Sequence, residues 1–197
     1  MEIRRMKENE LLSVIKLATG IYEYSAKPQV QDPAMVRQFY DYMQPQALTE
    51  QFRAERLLLW GAIEGQTLCA VGAMQSDAHI TMLYVHPYYQ KRGIGAAMLQ
   101  EMAGFAEHVL RAGRITVHAI PAASAGFFIK NGFTQMPEIS SGVDFCPLEY
   151  RFAAYMQPVP PKGKGVSTGT LVFILVVLFL LSAAAVVVSI IYSLLLY

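Results

Sequence analysis

A glycine-rich turn at residues 90–96, QKRGIGA, is the stretch whose residue types most directly suggest chemistry. Gly93 and Gly95 carry no Cβ, so consecutive backbone N–H groups can approach an anion closely. The apolar residues that follow predict a helix, and a helix N-terminus carries a partial positive charge that favours anions. Lys91 and Arg92 add full positive charges. The turn is therefore a candidate phosphate site; the alternative is a solvated basic turn whose glycines permit tight packing.

Two common phosphate-binding motifs do not fit this turn. The P-loop pattern G-x-x-x-x-G-K-[ST] does not occur in the sequence. A dinucleotide-binding fold needs its first glycine almost directly after a strand, and an acidic residue at the end of the next strand. Here residues 86–92 intervene, and the next predicted strand ends in His118, Ala119 and Ile120. These mismatches argue against a site for NAD.

Apolar periodicity predicts the elements that must position the turn. Residues 57–63, 67–74 and 79–85 read as three strands joined by short turns, which predicts an antiparallel meander. After the glycine turn we expect a helix to about Ala112 and then a strand at 114–120. A strand-helix-strand crossover of this kind implies a parallel pair.

Further elements are expected on both sides of this unit. A short strand at residues 2–6 precedes two helices, and a short helix within 121–133 stops at Gly132. Residues 134–137 and 144–156 can pair as a closing hairpin. In the first helix the apolar residues at helical spacing are Leu11, Ile15, Ala18 and Tyr22. In the second, which follows Asp32-Pro33, they are Val36, Phe39, Tyr40 and Met43.

Several spaced motifs in this order resemble the GCN5-related N-acetyltransferase (GNAT) superfamily. Its members share a strand ending V-x-P, a Q/R-x-x-G-x-G/A turn and a later A-x-x-F-Y-x-x-x-G-F. The matching residues here are Gln90, Arg92, Gly93, Ile94, Gly95, Ala96, Ala125, Phe127, Gly132 and Phe133. The resemblance covers residues 1–155 and implies an α/β GNAT fold, with a mixed, mostly antiparallel seven-stranded sheet flanked by helices.

The resemblance also implies an activity and a co-substrate. The protein would move an acetyl group from acetyl-CoA directly to a primary amine of a small molecule or peptide, with no metal. The turn would hold the pyrophosphate, and the Val85 N–H would stabilise the oxyanion, a contribution of about 3 to 4 kcal/mol in well-built sites. The residues implied to contact the cofactor are Val85, Gln90, Lys91, Arg92, Gly93, Ile94, Gly95, Ala96, Ser124, Phe127 and Phe128.

Two histidines are the candidate general bases, because an amine with a pKa of about 10.4 is mostly protonated at neutral pH. His79 falls where histone-acetylating members of the superfamily place a glutamate base, and His118 is the second candidate. The tyrosine that many members use as general acid corresponds to Phe128, which has no proton to donate. The alternative function is therefore a catalytically weak or inactive acetyl-CoA-binding regulatory module. For the acceptor's ammonium group, Glu23, Tyr24 and Asp32 are the candidate partners.

Composition excludes other classes of function. With 16 Lys and Arg against 15 Asp and Glu, the net charge is +1, so we expect no nucleic-acid partner. Cys69 and Cys146 are too few for a disulfide framework and are expected to be packed thiols. Pairing with a second copy of the chain, as a homodimer, is left open.

The end of the chain predicts a membrane anchor. No charged residue occurs between Leu171 and Tyr197, and as a helix this stretch would reach about 40 Å. We therefore expect an acetyltransferase domain at 1–156, a Pro/Gly/Lys linker at 157–169 and a single transmembrane helix at 170–197. The linker holds two lysines, and no signal peptide begins the sequence, so the domain is expected in the cytoplasm. An SAAA stretch within the span alternatively offers a face for pairing with other membrane helices.

Overall fold

The computed structural model describes residues 1–153, which form one sheet with helices on both faces. The strands are β1 (Glu2–Arg5), β2 (Leu57–Glu64), β3 (Thr67–Gln75), β4 (His79–Val85), β5 (Arg114–Ala119), β6 (Thr134–Gln135) and β7 (Cys146–Arg151). The helices are α1 (Leu11–Ile21), α2 (Pro33–Tyr42), α3 (Pro45–Arg53), α4 (Ile94–His108) and α5 (Ala125–Lys130). The predicted linker and membrane span lie outside the described residues. Within residues 1–153 no helix is long and apolar enough to cross a membrane.

The sheet has seven strands in the order β1-β2-β3-β4-β5-β7-β6. Every neighbouring pair is antiparallel except β4 and β5, which are parallel. The predicted mixed sheet, its meander, its parallel crossover and its closing hairpin are thus confirmed. The β4–β5 register consists of His79 opposite Thr116 and Ile80 opposite Val117. Beyond these pairs β4 continues to Val85 with no registered partner in β5, so the two strands part.

A β-bulge at Thr81 changes which side chains of β4 face each side of the sheet. In the register with β3, Ala73 lies opposite Met82 and Met74 lies opposite Ile80, so Thr81 is the extra residue. Ile80 packs in the core beneath α4, whereas Met82 packs in the core beneath α1 and α3. Residues two apart on a regular strand would share a face, so the bulge reverses the alternation.

Helix α4 packs tightly across the sheet through its methionines. Met98 and Met102 are fully buried, and a Cβ added to Gly72 of β3 would lie 2.8 Å from the Sδ of Met102. Only glycine therefore lets the helix approach the strand this closely. The predicted extension of the helix to Ala112 is wrong: α4 ends at His108, and the chain then turns through Arg111 at a φ of 56°.

The first part of the chain contains one element that the sequence analysis did not anticipate. Helix α3 begins at Pro45, and Leu48 is its buried residue. Asp32 caps α2, since its carboxylate accepts a hydrogen bond from the Ala34 N–H at 2.8 Å. Of the two thiols, Cys69 is buried and Cys146 is half-buried, and both are free.

Candidate active site

The glycine turn presents the N-terminus of α4 to solvent. Lys91 and Gly93 adopt left-handed backbone conformations, with φ of 59° and 80°, which turn the chain into the helix. The Ala97 N–H donates to the Gly93 carbonyl at 3.0 Å. By the geometry of an α-helix, the N–H groups before Ala97 have no acceptor within the helix. They form, at the positive end of a 15-residue helix, a set of donors suited to an anion.

A cavity of about 500 Å³, here called the turn cavity, opens beside these N–H groups. Its lining residues are Leu83, Val85, Tyr89, Gln90, Lys91, Gly93, Ile94, Gly95, Ala96, Ser124 and Phe127. All the residues predicted to contact the cofactor lie here except Arg92 and Phe128. A Cβ at Gly95 would lie 3.3 Å from Phe127 and 3.5 Å from Val85, so the cavity is narrow where the helix meets β4.

Arg92 lies at the rim rather than in the cavity lining. Its guanidinium stacks 5.0 Å from the centre of the Tyr88 ring and 5.3 Å from that of Tyr89. Gln90 has a different role, because its Nε2 donates to the Val85 carbonyl at 3.0 Å. This bond attaches the turn to the end of β4.

Beyond Ile80, some backbone N–H groups of β4 point toward the gap that opens between β4 and β5; this side of β4 is here called its open edge. The His86 N–H donates to the Cys69 carbonyl of β3 at 2.9 Å. Because successive residues of a strand direct their N–H groups to opposite sides, the N–H of Val85 points away from β3. The same alternation directs the N–H of Leu83 to that edge. Sequence reasoning identified Val85 and missed Leu83, since no motif in the sequence marks Leu83.

A second cavity of about 370 Å³, here called the histidine cavity, lies against the other face of the sheet. It is lined by Tyr22, Met35, Gln38, Phe39, Tyr42, Gln75, His79, Ile80, Thr81, Met82, Leu83, Tyr84, His118, Ile120 and Phe128. Leu83 lines both cavities. Both cavities therefore contact the part of β4 that has no registered partner in β5.

Both candidate bases lie in this second cavity. The rings of His79 and His118 are 5.0 Å apart, centre to centre, and His79 Nδ1 lies 2.8 Å from Thr116 Oγ1. In the tautomer whose Nδ1–H donates to Thr116, the Nε2 of His79 can accept a proton. Burial lowers the pKa of His79, His118 lowers it further, and Asp77 opposes the change. His79 is therefore neutral at pH 7, as a base must be.

The phenols of the cavity are poor proton donors. The Tyr42 hydroxyl lies 2.8 Å from Thr81 Oγ1, and burial raises the pKa of Tyr42 to about 12. Burial also raises the pKa of Tyr84, with smaller contributions from Tyr22 and Tyr42. Phe128 is buried in the cavity wall.

The carboxylates proposed to hold an ammonium group have other positions. Glu23 accepts a hydrogen bond from the Tyr40 hydroxyl at 3.0 Å, Asp32 caps α2 and Tyr24 is exposed. None of the three is among the residues that line the histidine cavity. Helix α2 contributes Met35, Gln38, Phe39 and Tyr42 to the lining, and Tyr22 comes from the segment directly after α1.

The buried carboxylate of Asp144 positions the start of α2, which lines the histidine cavity. Asp144 is 6% exposed and accepts hydrogen bonds from the N–H groups of Gln31 at 2.8 Å and Asp32 at 2.7 Å. The next residue, Phe145, lies against His118 with a ring separation of 5.6 Å. The loop before β7 thus holds both the start of α2 and the edge of the histidine pair.

Replacing Asp144 by Asn should loosen this loop. The amide puts an N–H₂ group where two N–H donors need acceptors, so we expect a loss of about 1 to 3 kcal/mol in the free energy of unfolding. Urea denaturation measures this loss. The control is Asp41→Asn on the exposed side of α2, which should change the free energy by less than about 0.5 kcal/mol. Equal stability of both variants would contradict a positioning role.

Within the part of the chain that the structure describes, no group of three or more His, Cys, Asp and Glu side chains could hold a metal ion.

A family model, the acetyltransferase (GNAT) domain, matches residues 24–152. No curated protein matches the sequence.

Solved structures share the fold at low sequence identity. PaiA N-acetyltransferase from Thermoplasma acidophilum, in complex with coenzyme A, is 20% identical, with 77% of this chain and 98% of that chain covered and a TM-score of 0.62. A GCN5-related N-acetyltransferase from Rhodopseudomonas palustris is 17% identical, covering 77% and 95%, with a TM-score of 0.63. Spermidine N-acetyltransferase from Vibrio cholerae, in complex with CoA and spermine, is 11% identical, covering 79% and 98%, with a TM-score of 0.57. The family model spans most of the chain, and the chain therefore belongs to the GNAT family of acetyltransferases.

Proposed function

We infer that the protein transfers the acetyl group of acetyl-CoA directly to a primary amine. The observation that supports this most is that two cavities share Leu83 as a lining residue. One cavity ends in the donors of a helix N-terminus, and the other contains a pair of histidines. Direct transfer requires the two substrates to react at one place, and the gap between the parted ends of β4 and β5 is where they would meet.

The residues of the turn cavity suit acetyl-CoA. The free N–H groups of the first turn of α4 would hold the pyrophosphate, with Lys91 adding charge. Acetyl-CoA supplies the acetyl group as a thioester. A backbone N–H at the open edge of β4 would stabilise the negative charge that develops on the carbonyl oxygen. Leu83 is better placed than Val85 for this, because it alone of the two lines both cavities.

His79 would take the proton of the attacking amine. As the new N–C bond forms and the C–S bond breaks, the amine nitrogen loses a proton, and the neutral Nε2 of His79 can accept it. Phe128 cannot protonate the departing sulfur. A thiol has a pKa of about 8.5, however, so the thiolate can leave without an acid and take a proton from solvent.

Titration of the full-length protein with acetyl-CoA, followed by thiol release with a mixture of primary amines, tests this function. Saturable binding and amine-dependent thiol release are expected. Binding without release under any amine would favour the regulatory module instead, the reading that Phe128 supports. Failure of the folded protein to bind acetyl-CoA would refute the proposal.

The proposal includes a membrane anchor at residues 170–197 that keeps the catalytic domain at the cytoplasmic face. It is supported by the uncharged stretch from Leu171 to Tyr197 and by Lys162 and Lys164 before it. Full-length protein should sediment with membranes after alkaline extraction, and a chain ending at residue 156 should not. Recovery of the full-length protein in the extract would reject the anchor.

A further inference from the structure

The chemistry of the histidine cavity narrows the class of amine that it can accept. Among its described lining residues there is no Asp, Glu, Lys or Arg. Burial raises the pKa of Tyr22, Tyr42 and Tyr84, so these phenols are uncharged at neutral pH. The cavity therefore offers no negative charge to a cationic ligand.

Carboxylates on the bordering segments are engaged elsewhere. Asp77 accepts a hydrogen bond from the backbone N–H of His79 at 3.1 Å, and Glu23 accepts from the Tyr40 hydroxyl. Asp144 accepts from two backbone N–H groups. A ligand with several ammonium groups would lose their hydration here and gain no ion pair, which is costly.

Five tyrosine and phenylalanine side chains line the cavity, beside the neutral polar side chains of Gln38, Gln75 and Thr81. The rings of Tyr22 and Phe39 stack at 3.6 Å with an angle of 14°, and Tyr84 meets Phe39 edge-on at 6.4 Å. Phe128 closes the cavity from α5. Aromatic rings pack favourably face to face with an offset or edge to face, so a flat ring is the shape that these walls suit.

Size and charge together limit the ligand further. A volume of about 370 Å³ is near the lower end of the range of small-molecule sites. Ring faces can attract one ammonium group before its proton passes to a base. Each further ammonium group would have no carboxylate partner among the described lining residues.

We propose that the acceptor is a compact arylalkylamine, a single primary amine on an aromatic ring, rather than a polyamine or a basic peptide. This inference rests on the proposed acetyl transfer, because it assigns the amine that the histidine cavity receives. The ring lies against the aromatic side chains that line the cavity, Phe39 and Tyr42 of α2 and Tyr84 of β4. The amine reaches toward the histidine pair and the open edge of the sheet.

The test compares amines on the full-length protein by the rate of thiol release from acetyl-CoA. The probes are benzylamine, 2-phenylethylamine and tryptamine against spermidine and a lysine-containing peptide. For the best arylalkylamine we expect kcat/KM at least about tenfold above that for spermidine. Spermidine would bring further ammonium groups that stay unpaired in the cavity, and unpaired buried polar groups weaken binding of the transition state.

A charge variant makes the comparison specific to the cavity. Gln38 is exposed at the rim of the cavity, so Gln38→Glu adds a carboxylate with little change of shape. It should shift the ratio of kcat/KM toward spermidine by about threefold or more, as expected for one added partially exposed charge pair. Gln46→Glu, an exposed change on α3 that does not touch the cavity lining, should leave the ratio unchanged.

The outcomes separate this inference from the function on which it rests. Equal or faster acetylation of spermidine or the peptide by the unaltered protein overturns the arylalkylamine assignment and leaves acetyl transfer standing. An unchanged ratio in Gln38→Glu also counts against it. If acetyl-CoA binds and none of the five amines is acetylated, the failure is that of the proposed transferase itself.

Discussion

Replacing Gly93 by Asp is expected to weaken acetyl-CoA binding by about hundredfold or more. The substitution puts a carboxylate at the residue that caps α4, where its charge opposes the pyrophosphate. At about 4 Å and an effective dielectric constant near 20, one such repulsion is worth roughly 4 kcal/mol, enough for this change. Calorimetric titration of the full-length variant measures the dissociation constant.

One control is the same substitution at Gly104, further along α4, and a second is Gly93→Asn, which puts an uncharged side chain of the same size at the same left-handed backbone position. A Cβ at Gly104 meets no atom within 4 Å, so Gly104→Asp should fold and bind acetyl-CoA with an unchanged constant. Thermal unfolding of the variants separates lost binding from lost structure. An affinity of folded Gly93→Asp within threefold of the unaltered protein would remove the turn from the cofactor site.

Replacing His79 by Gln is expected to lower kcat by about hundredfold, the usual contribution of a general base. Glutamine keeps a polar group near Thr116 but cannot carry a proton away from the amine. Since the turn cavity is untouched, the dissociation constant for acetyl-CoA should not change. Steady-state kinetics and titration together make this distinction.

The dependence on pH gives a second signature of the same residue. The pKa of His79 is lowered, so His79 stays neutral at pH 7 and gains a proton only below its ordinary value of about 6.5. In the unaltered protein kcat/KM should therefore fall as the pH drops below about 6.5, and His79→Gln should lose this limb. His108→Gln, an exposed histidine on α4, serves as control. Equal turnover by His79→Gln at every pH would exclude His79 as the base.

The sheet and the turn could be predicted because short-range patterns determine them. Apolar runs separated by short polar turns identify the meander, and the glycines mark where β4 gives way to α4. Helix α3 was missed because it is short and largely polar, with Leu48 as its buried residue. The end of α4 was misplaced because apolar residues continue after His108, although Val109 among them is exposed.

The site could be predicted only in part, because it depends on which residues of neighbouring strands lie opposite each other. Sequence reasoning treated His79 and His118 as alternatives, whereas the parallel register of β4 and β5 puts their rings 5.0 Å apart. The role of Leu83 depends on its contact with both cavities, a tertiary feature with no local signal. The acidic residues proposed for the amine were chosen by charge alone, and each has another partner or position in the fold.

The narrow junction between β4 and β5 has a mechanical consequence. Within the sheet, two registered residue pairs connect the part formed by β1 to β4 to the part formed by β5, β7 and β6. Such a short junction is an axis about which the two parts would rotate. Rotation about an axis displaces each point in proportion to its distance from that axis. His79 and Thr116 lie on the axis and keep their contact, whereas Val85 lies at the far end of the arm. Any widening of the gap at Val85 for a bulky cofactor would therefore move the contact between His79 and Thr116 the least.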